Sequence, residues 1–137
     1  MGWFNKTDKV SEENKKNYME CFDLEKYPVV EKEFNIKVRG VTFENEDSGT
    51  DRQLIIENTP YGTHLMLIPE EDNEFDDYAI RIVRFDGLTL GYFPSTFNKE
   101  IWEKLDEGRF VDAKLIEKPY FDGIYGAVVK ISVYGEK

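Results

Sequence analysis

Tyr78-Ala79-Ile80-Arg81-Ile82-Val83-Arg84-Phe85, then Asp86-Gly87, then Leu88-Thr89-Leu90-Gly91-Tyr92-Phe93 is the segment from which the architecture can be read outward. Two runs rich in β-branched and aromatic residues flank a two-residue Asp-Gly, a pair that tolerates the positive φ angles of a tight hairpin turn. The segment therefore predicts two antiparallel strands over 78–85 and 88–93. Upstream, Phe34, Ile36 and Val38 alternate with Asn35, Lys37 and Arg39, the period-two pattern of a half-buried strand. Gly40 interrupts this pattern and Val41 and Phe43 resume it on the shifted face, which predicts a bulge or sharp bend. Residues 54–56 and 64–68 read as a further hairpin, joined through Asn58-Thr59-Pro60-Tyr61-Gly62, a run of turn-forming residues.

Downstream, residues 110–117 and 125–134 read as two long strands with Asp122-Gly123 between them. In the first, Val111, Ala113 and Leu115 share one face, and Phe110, Asp112, Lys114 and Ile116 share the other. One helix is expected in this part of the chain. Ser95 or Asn98 would cap it, Ile101, Trp102 and Leu105 form its apolar face, and Gly108 ends it. Before the first strand, Ser11 suits a helix cap, Glu12 and Glu13 suit the first turn, and Tyr18, Cys21, Phe22 and Leu24 give an apolar side. Tyr27-Pro28 stops that helix. The expectation is a helical extension over residues 1–30 and a β domain over 31–137. Seven short strands with one late helix describe a mainly-β chain, a small barrel or a highly curved sheet.

At 137 residues and 16.1 kDa the chain has the size of one domain, and 40% hydrophobic with 15% aromatic residues excludes wholesale disorder. A single cysteine, Cys21, rules out an internal disulfide framework and a thiolate zinc cluster. His64 is the only histidine; it alternates with Leu65 and Leu67 and reads as a structural residue rather than a catalytic base. Asn5, Lys6, Asp8 and Lys9 break any secretory leader at the start, and no apolar run approaches the roughly 20 residues of a membrane span. A reducing cytoplasm is the expected setting. No Walker loop or dinucleotide fingerprint is present, so no cofactor is expected.

Charge points away from polyanions. The 18 basic and 28 acidic residues leave a net charge of −10, and residues 31–137 alone, with 13 and 22, carry −9. The acids gather in two loops, 44–51 and 70–77. A nucleic-acid binder ordinarily carries a basic stripe, because phosphate contacts supply most of its non-specific affinity. Glu70, Glu71, Asp72, Asp76 and Asp77 are oxygen ligands of the type hard cations take, but no EF-hand spacing is present and a solvated acidic loop is the expected state.

Asn73-Glu74-Phe75-Asp76-Asp77-Tyr78-Ala79-Ile80-Arg81-Ile82, followed by Gly87 and then Leu90-Gly91-Tyr92-Phe93-Pro94, resembles the HIRAN family. The family's glycine-bearing first strand is matched by Val38-Arg39-Gly40-Val41-Thr42-Phe43, and the resemblance runs over about residues 33–135. It implies a modified OB-type barrel. It also implies a grip on single-stranded DNA with a preference for a free 3′ end, as in the members attached to eukaryotic repair helicases. Under that resemblance Phe43 and Phe75 would stack on bases, Asn73, Phe75 and Asp76 would form a pocket loop, and Asp76 would accept a hydrogen bond from the terminal 3′-hydroxyl. Tyr92 would be a further pocket residue and Tyr125 a further aromatic of the last strand. Thr42 stands where helicase-linked members carry a basic residue, and Pro94-Ser95 stand where they carry a lysine. Both departures remove positive charge and imply weakened affinity.

Read from the residues alone, Asn73 and Asp76 are turn formers whose side chains bond the backbone, while Phe43 is equally suited to a core or to stacking. Two functions compete, with a metal-dependent nuclease built on the acidic loop a distant third. One is a non-catalytic single-stranded DNA module in repair or replication, working beside a separate enzyme. The other is an acidic protein-interaction adaptor that has lost DNA binding. No nucleophile, base or helicase motif points to an enzyme; Cys21 has no identifiable partner base.

Overall fold

The computed structural model describes residues 6–45 and 49–137, with side chains from residue 9 in the first segment. The extreme start of the chain and the middle of the 44–51 acidic loop lie outside the described residues. The elements in chain order are α1 (Lys6–Met19), β1 (Val29–Lys37), α2 (Arg52–Glu57), β2 (His64–Pro69), β3 (Ile80–Val83), β4 (Thr89–Tyr92), α3 (Asn98–Asp106), β5 (Val111–Glu117), β6 (Tyr120–Phe121), β7 (Ile124–Tyr125) and β8 (Val128–Gly135).

Six strands form one antiparallel sheet in the order β1-β8-β5-β2-β3-β4, and β6 and β7 form a separate small hairpin. Its two outer strands do not stay apart. Just beyond β1, Arg39 N–H donates to the Tyr92 carbonyl (2.8 Å) and Tyr92 N–H donates to the Arg39 carbonyl (2.9 Å), so the sheet curls until its edges meet. The result is a mainly-β, OB-like barrel with α3 inserted between β4 and β5. Gly91 makes the seam possible: a Cβ there would lie 2.3 Å from the Arg39 carbonyl oxygen.

Alternation places the core as expected. Val111, Ala113 and Leu115 of β5 are fully buried and meet Ile131 and Val129 of β8, Ile80 and Ile82 of β3, and Leu65 and Leu67 of β2. The β3–β4 hairpin turns through Gly87 at φ +95°, with Arg84 N–H donating to the Leu88 carbonyl at 2.8 Å. A second cluster joins α1 to the barrel through Tyr18, Met66 and Val83, with Phe22, Phe85 and Phe110 around them. The Tyr18 hydroxyl accepts from Leu67 N–H at 3.0 Å. That contact lies where β2 has left its pairing with β5 at residues 64–65, so the N-terminal segment completes the sheet's hydrogen bonding.

The structure corrects several expectations. Residues 54–56 form part of helix α2 and not a strand, so there is no hairpin through 58–62. The physical reason is burial of both Ile55 and Ile56, at 3% and 0% exposure. Neighbours in a strand point to opposite faces, whereas neighbours in a helix can share one wide stripe. Asp51 caps it, accepting from Gln53 N–H at 2.8 Å. The first strand begins at Val29, ahead of the Phe34–Val38 alternation, and does not resume after Gly40. There the chain turns, with Phe43 N–H on the Gly40 carbonyl. Neither Ser95 nor Asn98 caps α3; Phe97 holds the cap position, and Asn98 turns its buried side chain to Asp76. Ser11 lies inside α1, which ends at Met19, leaving Cys21 and Leu24 exposed. The last strand is split at residues 126–127 into β7 and β8.

Candidate nucleic-acid interface

The loop before β3 builds one wall of the site. Asn73 Oδ1 accepts from the backbone N–H of Phe75 (2.9 Å) and of Asp76 (3.0 Å), folding the loop back on itself. Asp76 Oδ1 accepts from Tyr78 N–H (2.9 Å), and its Oδ2 accepts from Asn98 Nδ2 (2.7 Å), which ties the loop to the start of α3. These bonds leave Phe75 nowhere to pack, and it stands 93% exposed.

The opposite wall is the turn after β1 together with α2. Gly40, at φ +73°, reverses the chain and presents Phe43, which is 64% exposed. Arg52 crosses between the walls: its Nε donates to Asn45 Oδ1 (2.8 Å) and its Nη1 to the Gly40 carbonyl (2.8 Å). The guanidinium carbon then lies 6.0 Å from the Phe43 ring centre and 5.5 Å from that of Tyr92. Tyr92, on the barrel seam, donates its hydroxyl to Glu70 Oε1 at 2.7 Å. Burial, with Glu70 beside it, pushes the phenol up to about 12. Arg81 Nε lies 3.2 Å from Glu70 Oε2 in an ion pair too bent for a directed hydrogen bond, and its Nη1 donates to Thr89 Oγ1 at 3.1 Å.

Between the walls lies an open cleft of about 1140 Å³. Phe43, Asn73, Phe75, Asp76 and Tyr92 all line it, so five of the seven residues named from the sequence come together. Thr42 is exposed on the turn and does not line the cleft. Tyr125 sits on β7, on the far side of α2, where its ring packs 4.6 Å from Tyr120. Arg39, Arg52, Arg81, Glu70 and Thr89 are further lining residues. Arg81 was legible in principle, since it lies between buried Ile80 and Ile82 and must face the other side. Arg52 was not, because its segment reads as a strand. Arg84 is turned elsewhere, paired with Asp86.

Among the described residues, three arginines and six carboxylates line the cleft, the latter Glu44, Glu70, Glu71, Asp72, Glu74 and Asp76. Among the described residues no three acidic, histidine or cysteine side chains gather as a metal site. No described helix is long and apolar enough to cross a membrane.

No protein-family model and no curated protein matches this sequence. Solved structures share this fold. The HIRAN domain of human HLTF superimposes with a TM-score of 0.60 over 80% of each chain, at 12% identity. A structural-genomics protein from Lactobacillus plantarum superimposes with a TM-score of 0.58 over 74% of this chain and 99% of its own, at 16% identity. The chain has a HIRAN-like fold.

Proposed function

We propose that the cleft binds the end of a single-stranded nucleic acid, specifically DNA with a free 3′-hydroxyl. The protein would act as a non-catalytic module that delivers a separate repair or replication enzyme to that end. One observation carries the reading: the fully presented Phe75 ring stands next to the Asp76 carboxylate. Each Asp76 oxygen accepts a single hydrogen bond from the protein, and a carboxylate oxygen has lone pairs for more. Asp76 can therefore accept from a hydroxyl while Phe75 and Phe43 stack on bases, each stack being worth about 1–3 kcal/mol without sequence preference. A carboxylate at that place repels a further phosphate, which selects for a terminus. The HIRAN-like fold supports the same reading.

The test is fluorescence anisotropy at low salt with three short oligonucleotides, ending in a 3′-hydroxyl, a 3′-phosphate or a blocked 3′ group. Binding restricted to the free hydroxyl is expected. Equal binding of all three overturns end recognition. Absence of binding from a folded sample overturns the nucleic-acid reading and favours the second one, an acidic adaptor, for which the six carboxylates of the cleft are the specific observation.

A further inference from the structure

A second set of exposed rings lies on the β6–β7 hairpin and the loop after α2, outside the lining of the cleft. Phe121 is 84% exposed, Tyr61 65% and Tyr120 62%, and Ile124 at 46% adjoins them on the β6–β7 hairpin. The hairpin is firmly built: Asp122 and Gly123 take φ angles of +53° and +80°, and Gly126 N–H donates to the Pro119 carbonyl at 2.7 Å. Positive φ at both turn residues matches the twist of the flanking strands, so the ring positions are set by backbone geometry. Tyr125 anchors the patch from below, 4.6 Å from Tyr120.

This patch is continuous with the cleft through the first turn of α2. Arg52 lines the cleft, and its neighbour Gln53 donates from Nε2 to both the Val41 carbonyl (2.8 Å) and the Tyr125 carbonyl (2.9 Å). Tyr125 N–H returns a bond to Gln53 Oε1 at 2.7 Å. One side chain thus clamps the Phe43 turn to the base of the aromatic hairpin. We propose that Phe121, Tyr120 and Tyr61 continue the single-stranded track, stacking nucleotides that lie 5′ of the end held in the cleft. The inference rests on the reading that the cleft holds a 3′ end.

Ring stacking suits this place better than phosphate binding. Lys118 Nζ lies 4.8 Å from the Tyr61 ring centre, but it donates to the Glu57 and Thr59 carbonyls, and Glu117 and Asp122 stand close in sequence. Bases stack on aromatic faces whatever the local charge, whereas each neutralised phosphate steepens the salt dependence. The hairpin should therefore add affinity without adding salt sensitivity.

The experiment compares 5′-labelled oligothymidylates of about four and about twelve nucleotides, both with free 3′-hydroxyls, which bracket the reach of a small barrel. They are titrated against the intact chain and against the double variant Phe121→Ala, Tyr61→Ala. Both residues are exposed, and an unchanged urea midpoint verifies the fold. The intact chain should bind the longer probe at least about fivefold more tightly, the low end of one stacked base. The double variant should lose that gain and bind the short probe unchanged. A length gain that survives in the variant, or no gain in the intact chain, overturns the hairpin track. Loss of short-probe binding with a retained, Phe121-dependent grip on the long probe refutes the cleft instead. Binding of neither probe overturns both.

Discussion

Replacing Gly91 with alanine tests whether the barrel is closed as described. A Cβ at this position lies 2.3 Å from the Arg39 carbonyl oxygen and 2.6 Å from Val38 Cγ1, distances no real Cβ tolerates. The φ of Gly91, 159°, is close to extended, so the argument is one of space and not of backbone strain. Neither neighbour yields freely. Val38 is 6% exposed in the core, and Arg39 is bonded in both directions to Tyr92. If the seam stays shut, overpacking costs about 1–3 kcal/mol. If it parts, two hydrogen bonds are lost at about 0.5–1.5 kcal/mol each, and the core opens at Val38. Relief by a mixture of both routes sets the expected loss at about 2–4 kcal/mol, a large share of the roughly 5–15 kcal/mol of an ordinary domain. Urea unfolding followed by tryptophan fluorescence measures it. Gly126→Ala is the control, since a Cβ there meets Pro119 Cγ at an ordinary 3.5 Å, and its change should stay within about 0.5 kcal/mol. If Gly91→Ala unfolds at the same urea concentration as the parent, the seam is not close-packed and the closure argument fails.

Other perturbations separate site from scaffold. Phe75→Ala should weaken oligonucleotide binding by about 1–3 kcal/mol while leaving the urea midpoint in place, because the ring is 93% exposed; undiminished binding would remove Phe75 from the site. Tyr18→Phe leaves the buried Leu67 N–H without its acceptor and should cost about 1–3 kcal/mol, with an unchanged midpoint counting against the docking of α1. The Tyr92 phenol, raised by burial from its ordinary value near 10 to about 12, holds its proton more tightly when folded. Its contribution is complete below about pH 10 and is lost as pH climbs toward about 12. Tyr92→Phe should therefore flatten the alkaline fall in stability, leaving the part due to Tyr18, whose phenol burial also raises. An identical alkaline profile would contradict the half-buried Tyr92–Glu70 pair. Three arginines limit the salt dependence of binding to a slope of about −2 at roughly 0.7 per neutralised single-strand phosphate, and a much steeper slope would place the ligand outside the cleft.

The β architecture was legible because strict alternation is a one-dimensional record of a two-faced sheet. Val111, Ala113 and Leu115 could be assigned inward, and Asp86-Gly87 and Asp122-Gly123 marked turns, without knowledge of any partner strand. Residues 54–56 were misread for a related reason. Three apolar residues are too few to reveal a period, and the deciding fact, that Ile55 and Ile56 are buried together, is a tertiary one. The candidate site residues were named through the family resemblance, and loop chemistry by itself accounts for only part of their arrangement. Asn73 and Asp76 have to bond backbone in a tight loop, and that forces Phe75 outward. What stayed hidden is what closure brings in. Arg39 meets Tyr92 only because two strands remote in the chain meet at a seam, and Arg52 arrives on a helix that its own residues disguise.

Closure also bears on how a chain of net charge −10 would take the nucleic-acid end proposed for it. The cleft's carboxylates are not dispersed. Glu70 is engaged by Tyr92, Asn73 and Arg81, and Asp76 by Tyr78 and Asn98, so both serve as struts of the wall. Arg52 is likewise engaged, by Asn45 and the Gly40 carbonyl, and its guanidinium lies within reach of both the Phe43 and Tyr92 rings. A long polyanion laid across this surface would meet uncompensated acids at Glu71, Asp72 and Glu74. Under the proposed function, a chain end with its last base against these rings and its hydroxyl on Asp76 would bring few phosphates to that rim. On the proposed reading, acidity that would disable a general nucleic-acid binder would act as a filter, admitting a terminus and turning away the middle of a strand.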